Sequence, residues 1–427
     1  MPVFTSSIEV TADYPTIKPS LNLNFARSRA LDPRITFTRA SVGTYVGRDG
    51  LVKTAGEDEP RFDHDPETLE SLGLLIEDTR TNILGLSSDL TDNNGVDWDA
   101  VNGTIAVNQT TAPDGTTTAA SFTASAGNAE HSVVFAELVP TGDVTASIWV
   151  KTNTYSIVSF VLYGEANSLV SYNISTATVY NQASNVSRAT IKEYPNGWYR
   201  ISATMNCTVA ASRAFRLFAS TGNFDASGTE SFYYWGPQVE TGSFETSYIP
   251  TVTSNTAVTR ERDDATIVGE SFNSFYNQNE GSLFVESTPR YLASGINHRV
   301  CVITGDSDFT ISSAPGGINV DYAGTTLRTE LFSGSPNSAQ AGTGLTVSAG
   351  NKNKLAYGLE TNNVSVIVNG TQVGTTDTSA SMPDPMTKMG IGRRPDTSST
   401  YADGIHVSSI QYYTKRFTNA QLQLLTS

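Results

Sequence analysis

Hydrophobic and polar positions alternate with a period of two in many short segments of the chain. The alternation is clear in TASIWV, which begins at Thr145, and in WYRISA, which begins at Trp198. Every second side chain of an extended strand lies on the same face, so this pattern predicts half-buried β-strands. Such segments recur throughout the chain and are separated by turns rich in Gly, Asn, Asp and Pro. The pattern predicts an all-β protein built from β-sandwiches of the jelly-roll type.

The strand-like segments and the gaps between them divide the chain into five parts. Residues 1–20 have little periodicity and predict an extended N-terminal arm. Residues 21–84 hold short strand-like pieces and predict an N-terminal β module. Residues 85–251 and 281–427 each hold enough strands to close a sandwich or jelly roll. Residues 252–280 are polar, include the charged run RERDD, and predict a linker.

Local motifs predict two hairpins and one helix. Gly50 lies between apolar runs, and Asn369-Gly370 follows the strand-like segment VSVIV. Both sites predict β-hairpins because these residues tolerate positive φ. Thr418 and Gln421 have the spacing of a capping box before LQLL and predict a single closing helix.

Composition narrows the classes of partner. Charged residues make up only 16% of the chain, and the formal net charge is −15. A chain with this charge is not expected to bind nucleic acid or an anionic membrane as its main partner. No window approaches the roughly 18 apolar residues of a membrane span, so membrane insertion is not expected. The two cysteines, Cys207 and Cys301, are far apart and predict neither a disulfide framework nor a zinc site.

The segment PRFDHDP places three possible metal ligands side by side. Asp63, His64 and Asp65 are adjacent, but neighbouring residues of a strand point to opposite faces, so the three side chains cannot easily meet at one ion. The structural interpretation explains them separately. Asp65 before Pro66 would cap a turn or helix start, and Arg61 and Asp63 would share an exposed strand face. We favour this interpretation and predict no metal site.

Other charged residues give no defined site. Arg80 is expected to pair with Glu77 or Asp78. The acidic loops 304–308 and 394–397 offer oxygen atoms to Ca²⁺, but neither matches a defined calcium loop, so no cofactor is predicted. The patterns G-x-S-x-G, H-E-x-x-H, Walker A and the Rossmann glycines are missing, so no catalytic residue is identified and no enzyme is predicted. Carboxylate pairs for glycoside hydrolysis stay open, because only their separation in space is diagnostic.

The tryptophans are the candidates for sugar contacts. Sugar binding needs an exposed flat ring next to groups that bind hydroxyls. Trp98 lies between Asp97 and Asp99, and these three residues form the candidate glycan-binding site. The remaining tryptophans are assigned to packing: Trp149, Trp198 and Trp235.

Several longer segments are informative when they are taken in order along the chain. They are PSLNLNFARSRALDPRITFTRAS (19–41), SLGLLIEDTRTNIL (71–84), NGWYRISAT (196–204), YYWGPQVETGSFETSYIPT (233–251) and AVTRERDDATI (257–267). In this order they resemble segments of bacteriophage virion proteins of the head-spike or tail-fibre type. The third and fourth resemble the closing half of a carbohydrate-binding-module-like sandwich. The last domain, with NNVSVIVNGTQVGT and YYTKRFTNAQLQLLT, resembles a laminin-G-like, concanavalin-type jelly roll.

The resemblance implies a peripheral fibre or spike on the tail or head of a phage particle, displayed on the exterior of the virion. The N-terminal module would attach to other virion proteins, and the outer domains would bind host-surface glycans with avidity from many copies. A homotrimer is expected, because such appendages are typically cyclic oligomers. A fragment that starts near Leu86 is expected to fold without residues 1–84.

Two other functions are compatible with the sequence. One is a purely structural tail adaptor, nozzle or capsid decoration protein, whose sandwiches would pack on neighbouring proteins. The other is a polysaccharide depolymerase, which we disfavour because the chain has no long parallel β-helix pattern.

Overall fold

The computed structural model describes residues 15–92, 98–208, 211–220, 222–310, 316–333, 340–392 and 404–427. Most of the predicted arm, residues 1–14, therefore lies outside the described residues. The sheets are antiparallel, and the predicted all-β class is confirmed. Contacts divide the chain into two compact units. Unit 1 comprises Met1–Arg39, Ser71–Asp78 and Asp263–Ser427, and unit 2 comprises Ala40–Glu70 and Thr79–Arg262.

The described residues form short strands, three α-helices and one 3-10 turn. The strands of the first half are β1 (Leu21–Asn24), β2 (Thr36–Thr38), β3 (Gly43–Val46), β4 (Val52–Ala55), β5 (Phe62–His64), β6 (Ser71–Glu77), β7 (Arg80–Asn82), β8 (Asp99–Val101), β9 (Gly103–Thr110), β10 (Ala119–Ala124), β11 (Gly127–Ala129), β12 (Ser132–Val139), β13 (Gly142–Thr152), β14 (Ile157–Tyr163), β15 (Val170–Asn173), β16 (Thr178–Gln182), β17 (Val186–Tyr194), β18 (Trp198–Cys207) and β19 (Ala211–Ala219). Those of the second half are β20 (Phe224–Ala226), β21 (Ser231–Thr241), β22 (Val258–Arg260), β23 (Asp264–Val268), β24 (Glu280–Pro289), β25 (Asn297–Thr304), β26 (Gly317–Ala323), β27 (Thr326–Phe332), β28 (Gln340–Thr346), β29 (Asn353–Glu360), β30 (Val364–Val368), β31 (Thr371–Asp377), β32 (Lys388–Ile391) and β33 (Gly404–Tyr413). The helices are α1 (Phe25–Ser28), α2 (Gly269–Asn273) and α3 (Asn419–Thr426), and the 3-10 turn is Pro195–Gly197. Within the described ranges, no helix is long and apolar enough to cross a membrane.

Unit 1 contains two antiparallel sheets that share a core. Sheet A has the strand order β31-β30-β29-β24-β33, and sheet B has the order β2-β23-β32-β25-β26-β27-β28. Leu283 and Tyr357 of sheet A and Cys301 of sheet B are fully buried. The hydroxyl of Tyr322 in β26 lies 2.9 Å from the hydroxyl of Ser287 in β24, so a hydrogen bond joins the two sheets. These packed sheets form the predicted C-terminal sandwich.

Helix α3 covers the other face of sheet A. Phe284 and Ile367 of the sheet pack against Leu422 of the helix. The side chain of Thr418 accepts a hydrogen bond from Gln421 N at 3.3 Å, and the side chain of Gln421 accepts one from Thr418 N at 3.0 Å. The predicted capping box and closing helix are confirmed.

The predicted hairpins are also present. Strands β3 and β4 pair across a turn in which Gly50 has a φ of 76°. Strands β30 and β31 pair across Asn369 and Gly370, whose φ values are 48° and 77°. Two successive positive φ values are typical of a type I′ turn, which suits the twist of a hairpin.

Strand β33 is completed by two segments from the N-terminal part of the chain. Strand β1 pairs with its second half, where Leu21 is opposite Tyr412. Strand β6 pairs with its first half, where Leu75 is opposite His406. Leu21 and Leu75 are fully buried. Without β1 and β6, the backbone groups along this edge of β33 would lack partners next to the core.

Residues 21–84 are therefore not a separate module in the structure. Residues 21–39 and Ser71–Asp78 belong to unit 1, whereas Ala40–Glu70 and residues 79–84 belong to unit 2. The physical reason is that short strands without a core of their own gain burial by pairing with sheet edges elsewhere. The sequence shows that these strands exist but not which edges they pair with.

The segment 252–280, which was predicted to be a linker, also carries regular structure. It holds β22, β23 and α2. Within unit 1, Asp263 is buried, lies 3.0 Å from Arg39, and accepts a hydrogen bond from Glu77 N at 2.9 Å. A charged run in the sequence thus contributes to the interior, because its carboxylate has both an ionic partner and a backbone donor.

Unit 2 contains the sandwich predicted within residues 85–251. Sheet C has the order β17-β18-β13-β21-β10-β9, and sheet D has the order β16-β15-β14-β19-β12-β8. The hydroxyl of Tyr172 in sheet D donates to Ser202 O in sheet C at 2.6 Å. The shared core includes Trp98, Phe122, Phe135, Ile148, Phe160, Ile201, Leu217 and Tyr234.

A buried amide–carboxylate pair holds the chain that follows β21. Glu240 accepts a hydrogen bond from Thr246 N at 2.8 Å, and Gln238 accepts one from Ile249 N at 2.6 Å. The amide of Gln238 also donates to Glu240 at 2.8 Å, and the amide of Asn82 donates to Ile249 O at 2.9 Å. We call this the Gln238–Glu240 clasp. It explains why polar residues of the segment YYWGPQVETGSFETSYIPT are buried, since each of these side chains has a partner.

The tryptophans assigned to packing lie in one aromatic cluster of unit 2. Trp149 makes edge contacts with Trp235 and Tyr248, with ring centroids 5.3 Å and 5.7 Å apart. The guanidinium of Arg200 lies 4.5 Å from the centroid of Trp149. Trp198 is fully buried. The packing role predicted for these rings is confirmed.

Deletion of residues 1–84 tests the importance of β1 and β6. We predict that a fragment starting at Leu86 will not fold unit 1, because the edge of β33 loses both partners and Asp263 loses Arg39. This reverses the expectation from sequence. Limited proteolysis should digest residues 281–427 in the fragment but not in the full chain, and refolding with residues 1–84 supplied separately should restore resistance. A fragment as resistant as the full chain would contradict the prediction.

Glu245 provides a prediction of acid stability in unit 2. Its carboxylate pairs with Arg188 and accepts a hydrogen bond from the Ser202 hydroxyl at 3.0 Å. Burial opposes ionisation, but the charge and hydrogen bond of Arg188 outweigh it and lower the pKa of Glu245 from 4.5 to about 2. Because the folded-state pKa is lowered, the stabilisation is complete above the unfolded value and is lost as the pH falls towards the folded value.

We predict that Glu245→Gln lowers the free energy of unfolding by about 2 kcal/mol at neutral pH and by much less near the folded-state pKa. Urea titrations at a series of pH values measure both quantities. Glu193→Gln, at an exposed position of the same unit, is the matched control and should have little effect throughout. A destabilisation of equal size at both ends of the pH series would contradict the ionic role of Glu245.

Candidate functional site

Asp65 caps the turn that follows β5, as the sequence predicted. Its Oδ1 accepts hydrogen bonds from Glu67 N at 2.9 Å and from Thr68 N at 3.0 Å. Its Oδ2 lies 3.0 Å from Lys192 Nζ. Burial opposes ionisation, but the backbone hydrogen bonds and Lys192 outweigh it and lower the pKa of Asp65. Both oxygens of this carboxylate are thus engaged by the protein.

The other two candidate metal ligands of PRFDHDP contact backbone groups. Asp63 Oδ1 accepts a hydrogen bond from Val46 N at 2.6 Å, and His64 Nδ1 lies 3.2 Å from Val46 O. The exposed strand face predicted for Arg61 and Asp63 is wrong, because both residues are buried and Arg61 donates to Thr44 O at 3.0 Å. Among the described residues, no group of three or more His, Cys, Asp or Glu side chains is placed to hold a metal ion.

Arg80 and Glu77 have other partners than those expected from their proximity in sequence. In unit 2, Arg80 Nε lies 3.8 Å from Glu240, and its guanidinium lies 5.2 Å from the ring centroid of Phe244. In unit 1, Glu77 pairs with Arg290 at 2.5 Å. Neighbouring residues of an extended chain point in different directions, so these charges pair with distant strands.

The predicted calcium-type loops are described only in part. In the loop 304–308, Asp306 Oδ1 accepts hydrogen bonds from the backbone N–H groups of Asp308 at 2.9 Å and Thr310 at 3.3 Å. This side chain therefore supports its own turn. The loop 394–397 lies outside the described residues.

Trp98 lies in the core and cannot stack on a sugar. Its side chain has no exposed surface, its Nε1 donates to Leu86 O at 3.1 Å, and its ring centroid is 5.0 Å from that of Phe135. The flanking aspartates suggested exposure, but a strand residue between polar neighbours can point inward. Asp97 lies outside the described residues, and Asp99 is half-buried in β8. The candidate site predicted from sequence is thus wrong in its central ring.

Asp99 nevertheless lies on a polar surface of unit 2. Alternate side chains of sheet D enter the core, so their neighbours along each strand point outward. We call the resulting surface the sheet D outer face, and its polar members include Asp99, Ser132, Ser159, Ser171 and Arg216. Glu130 pairs with Arg216 and accepts a hydrogen bond from the Ser132 hydroxyl at 3.2 Å. The surface therefore offers carboxylates, a guanidinium and hydroxyls.

Strand β16 forms one edge of sheet D and carries an exposed aromatic ring. All five side chains of Thr178–Gln182 are exposed. Tyr180 is 64% exposed, more than any other aromatic side chain in the described ranges. It lies at a register shift in the pairing with β15, next to Asn181, which is opposite Ser171. An exposed flat ring thus lies beside an amide and close to the hydroxyls of the sheet D outer face.

This arrangement suits a ligand with both apolar ring faces and many hydroxyls. Six strands with a spacing of about 4.8 Å make the sheet D outer face roughly 24 Å wide. Tyr180 offers a flat apolar contact at one edge, and Asp99 on β8 lies at the other edge. Carboxylates accept hydrogen bonds from hydroxyls, and the guanidinium and amide can donate to hydroxyl oxygens.

The sequence contained a signal for Tyr180 that was not used. The segment TVYNQ was recognised as a strand, but its residues are polar apart from Val179 and Tyr180. Such a strand has no continuous apolar face to bury in a core. An aromatic residue in it must therefore contact solvent or a partner.

Comparisons with known proteins give no family for the chain. No protein-family model matches it, and no curated protein matches it. A receptor-binding domain of known structure matches with a TM-score of 0.31 and 10% identity over 39% of each chain, so this chain spans well under two thirds of that one. The CBM40 domain of the Ruminococcus gnavus IT-sialidase, bound to α2,3-sialyllactose, has a TM-score of 0.30 and 12% identity over 35% of this chain and 83% of that one. Domain 4 of an extracellular GH43 arabinanase from Geobacillus stearothermophilus, with arabinotriose, has a TM-score of 0.29 and 16% identity over 39% of this chain and 73% of that one. Matches of this extent carry no argument about function.

The capping role of Asp65 is testable by substitution. We predict that Asp65→Ala lowers the free energy of unfolding by about 1 kcal/mol, whereas Asp65→Asn, which keeps one acceptor oxygen, has a smaller effect. Chemical denaturation measures the difference, and Glu57→Ala at an exposed position nearby is the control. Stoichiometric loss of a bound metal ion in Asp63→Ala or His64→Ala would overturn the structural interpretation of PRFDHDP.

Proposed function

We propose that this protein is a non-enzymatic component of a bacteriophage particle that binds host-surface glycans through β16 and the sheet D outer face. The observation that carries the proposal is the exposed ring of Tyr180 beside Asn181. A flat aromatic ring packs against the C–H face of a pyranose, and nearby amides and carboxylates bind its hydroxyls. Trp98, the ring favoured by sequence, is replaced by Tyr180 in this role.

The place on the particle is proposed from sequence resemblance. Residues 19–41, 71–84 and 233–251 resemble virion appendage proteins of the head-spike or tail-fibre type, which supports a fibre or spike on the exterior of the virion. Attachment to other virion proteins would involve unit 1 as a whole, because β1 and β6 are part of it. A homotrimer would present several copies of a weak site at once, and avidity would then supply firm adhesion.

One observation favours a second candidate function. Strand β16 pairs only with β15 in sheet D, and it exposes Val179 (37%) as well as Tyr180. A free sheet edge with exposed apolar side chains also suits pairing with another protein. In that case the protein is a structural adaptor or decoration protein, and β16 contacts a neighbour in the particle.

Substitution of Tyr180 separates the two functions. We predict that Tyr180→Ala weakens binding to host polysaccharide by roughly tenfold per site, because a stacking contact of about 1 kcal/mol is lost. Tyr180→Phe should retain most of the affinity, and Val179→Ala is the matched control on the same strand. A glycan array followed by calorimetry on the bound glycans gives the affinities, and light scattering on each variant gives the oligomeric state.

Each outcome of this experiment has a defined meaning. Loss of affinity with an unchanged oligomer supports the glycan-binding function. Loss of oligomerisation in Tyr180→Ala, without a glycan ligand for the unaltered protein, supports the structural alternative. Release of reducing ends from host polysaccharide would contradict the non-enzymatic part of the proposal.

A further inference from the structure

A second polar cluster lies on the outer face of sheet B in unit 1. Tyr322 reaches towards sheet A, so Asn319 and Asp321, which alternate with it along β26, point away from the shared core. On the neighbouring strand β27, Glu330 is opposite Asn319 and Arg328 is opposite Asp321. We call these four side chains the Arg328 cluster.

Most polar atoms of the Arg328 cluster are engaged with one another. Arg328 contacts both oxygens of Asp321, from Nε at 3.0 Å and from Nη2 at 3.2 Å. The same guanidinium lies 3.2 Å from Glu330 Oε1, and Asn319 Nδ2 donates to Glu330 Oε2 at 3.0 Å. Arg328 and Glu330 are partly exposed, with 29% and 16% of their side-chain surface accessible, whereas Asn319 and Asp321 are fully buried beneath them.

One acceptor in the cluster has no donor. Asn319 Oδ1 is buried and makes no hydrogen bond in the structure. An amide group is planar, and its Nδ2 is fixed on Glu330, so Oδ1 lies within the same cluster. Buried polar atoms of native proteins nearly always have a partner, and an unpaired acceptor therefore indicates a donor supplied from elsewhere.

The charges of the cluster favour a neutral ligand. The two carboxylates of Asp321 and Glu330 face two guanidinium groups, that of Arg328 and that of Arg299, which donates to Phe309 O at 2.8 Å. Burial, together with the charge of Asp321, raises the pKa of Glu330. A ligand carboxylate would find no surplus positive charge here, and a metal cation would meet Arg328 between the two carboxylates.

Apolar side chains adjoin the unpaired acceptor. Val302 is opposite Asn319 in the pairing of β25 with β26. It packs with Phe309, and the half-buried Phe332 packs against both. An apolar wall beside acceptors and one guanidinium is the combination that binds the C–H faces and hydroxyls of a sugar or polyol.

We propose that the Arg328 cluster is a second binding site, in unit 1, for a neutral polyhydroxylated ligand such as an uncharged sugar. One ligand hydroxyl donates to Asn319 Oδ1 when Glu330 and Arg328 move aside, and neighbouring hydroxyls contact those two side chains. The site is independent of Tyr180 in unit 2, so it stands whether or not β16 binds glycans.

The test uses the full chain with Tyr180→Ala, which removes the proposed contact in unit 2. Calorimetric titration with neutral monosaccharides and disaccharides should show one site per chain. Glu330→Gln, at a partly exposed position, and Asn319→Ala should each weaken this binding about tenfold or more, since a hydrogen bond in a buried site is lost. Lys388→Gln is the control and should leave the affinity unchanged, because Lys388 lies over the Phe309 ring and a neutral ligand does not need its charge.

Circular dichroism must show that each variant is folded, and Glu330→Gln serves alone if Asn319→Ala is not. Three results would overturn the proposal: no neutral sugar binds the Tyr180→Ala protein, the binding is unaffected by Glu330→Gln, or sialic or uronic acids bind more tightly than neutral sugars and Lys388→Gln abolishes that binding. Binding of Ca²⁺ that is lost in Glu330→Gln would also overturn it, because the cluster would then be a cation site.

Discussion

Strand β33 cannot be buried until both of its edges are paired. One edge is filled by β24, which lies in the same part of the chain, and the other requires both β1 and β6 from the N-terminal part. Unpaired backbone groups next to a core are unfavourable, so this requirement brings the two N-terminal strands into unit 1. It also explains why both units are discontinuous in sequence, with the intervening residues assigned to unit 2.

Buried polar groups follow the same requirement throughout the molecule. Arg39 and Asp263 pair in the interior of unit 1, and the Gln238–Glu240 clasp binds the backbone that follows β21 in unit 2. In both places side chains with partners replace the hydrogen bonds that water would make. Asn319 Oδ1 departs from this pattern, which is the reason that a ligand is inferred at the Arg328 cluster and not at the better satisfied networks.

The proposed adhesive function fits the division between core and surface. The tryptophans of unit 2 stabilise its interior, whereas Tyr180 lies on a polar edge strand that no core needs. A single ring with a few polar neighbours binds a sugar weakly, and the number of copies on a particle would raise the total affinity. A second site in unit 1 would let one chain contact two positions of a repeating polysaccharide or two different sugars.

The sequence by itself determined the features that depend on nearby residues. The period-two alternation gave the strands, Gly50 and Asn369-Gly370 gave the hairpin turns, and Thr418 with Gln421 gave the capped closing helix, because each is fixed by residues a few positions apart. Only the tertiary structure decided which strand edges β1 and β6 fill, that Arg80 lies near Glu240, and that Trp98 is buried while Tyr180 is exposed. These outcomes depend on contacts between residues far apart in the chain, and a strand's own sequence does not specify which surface will cover it.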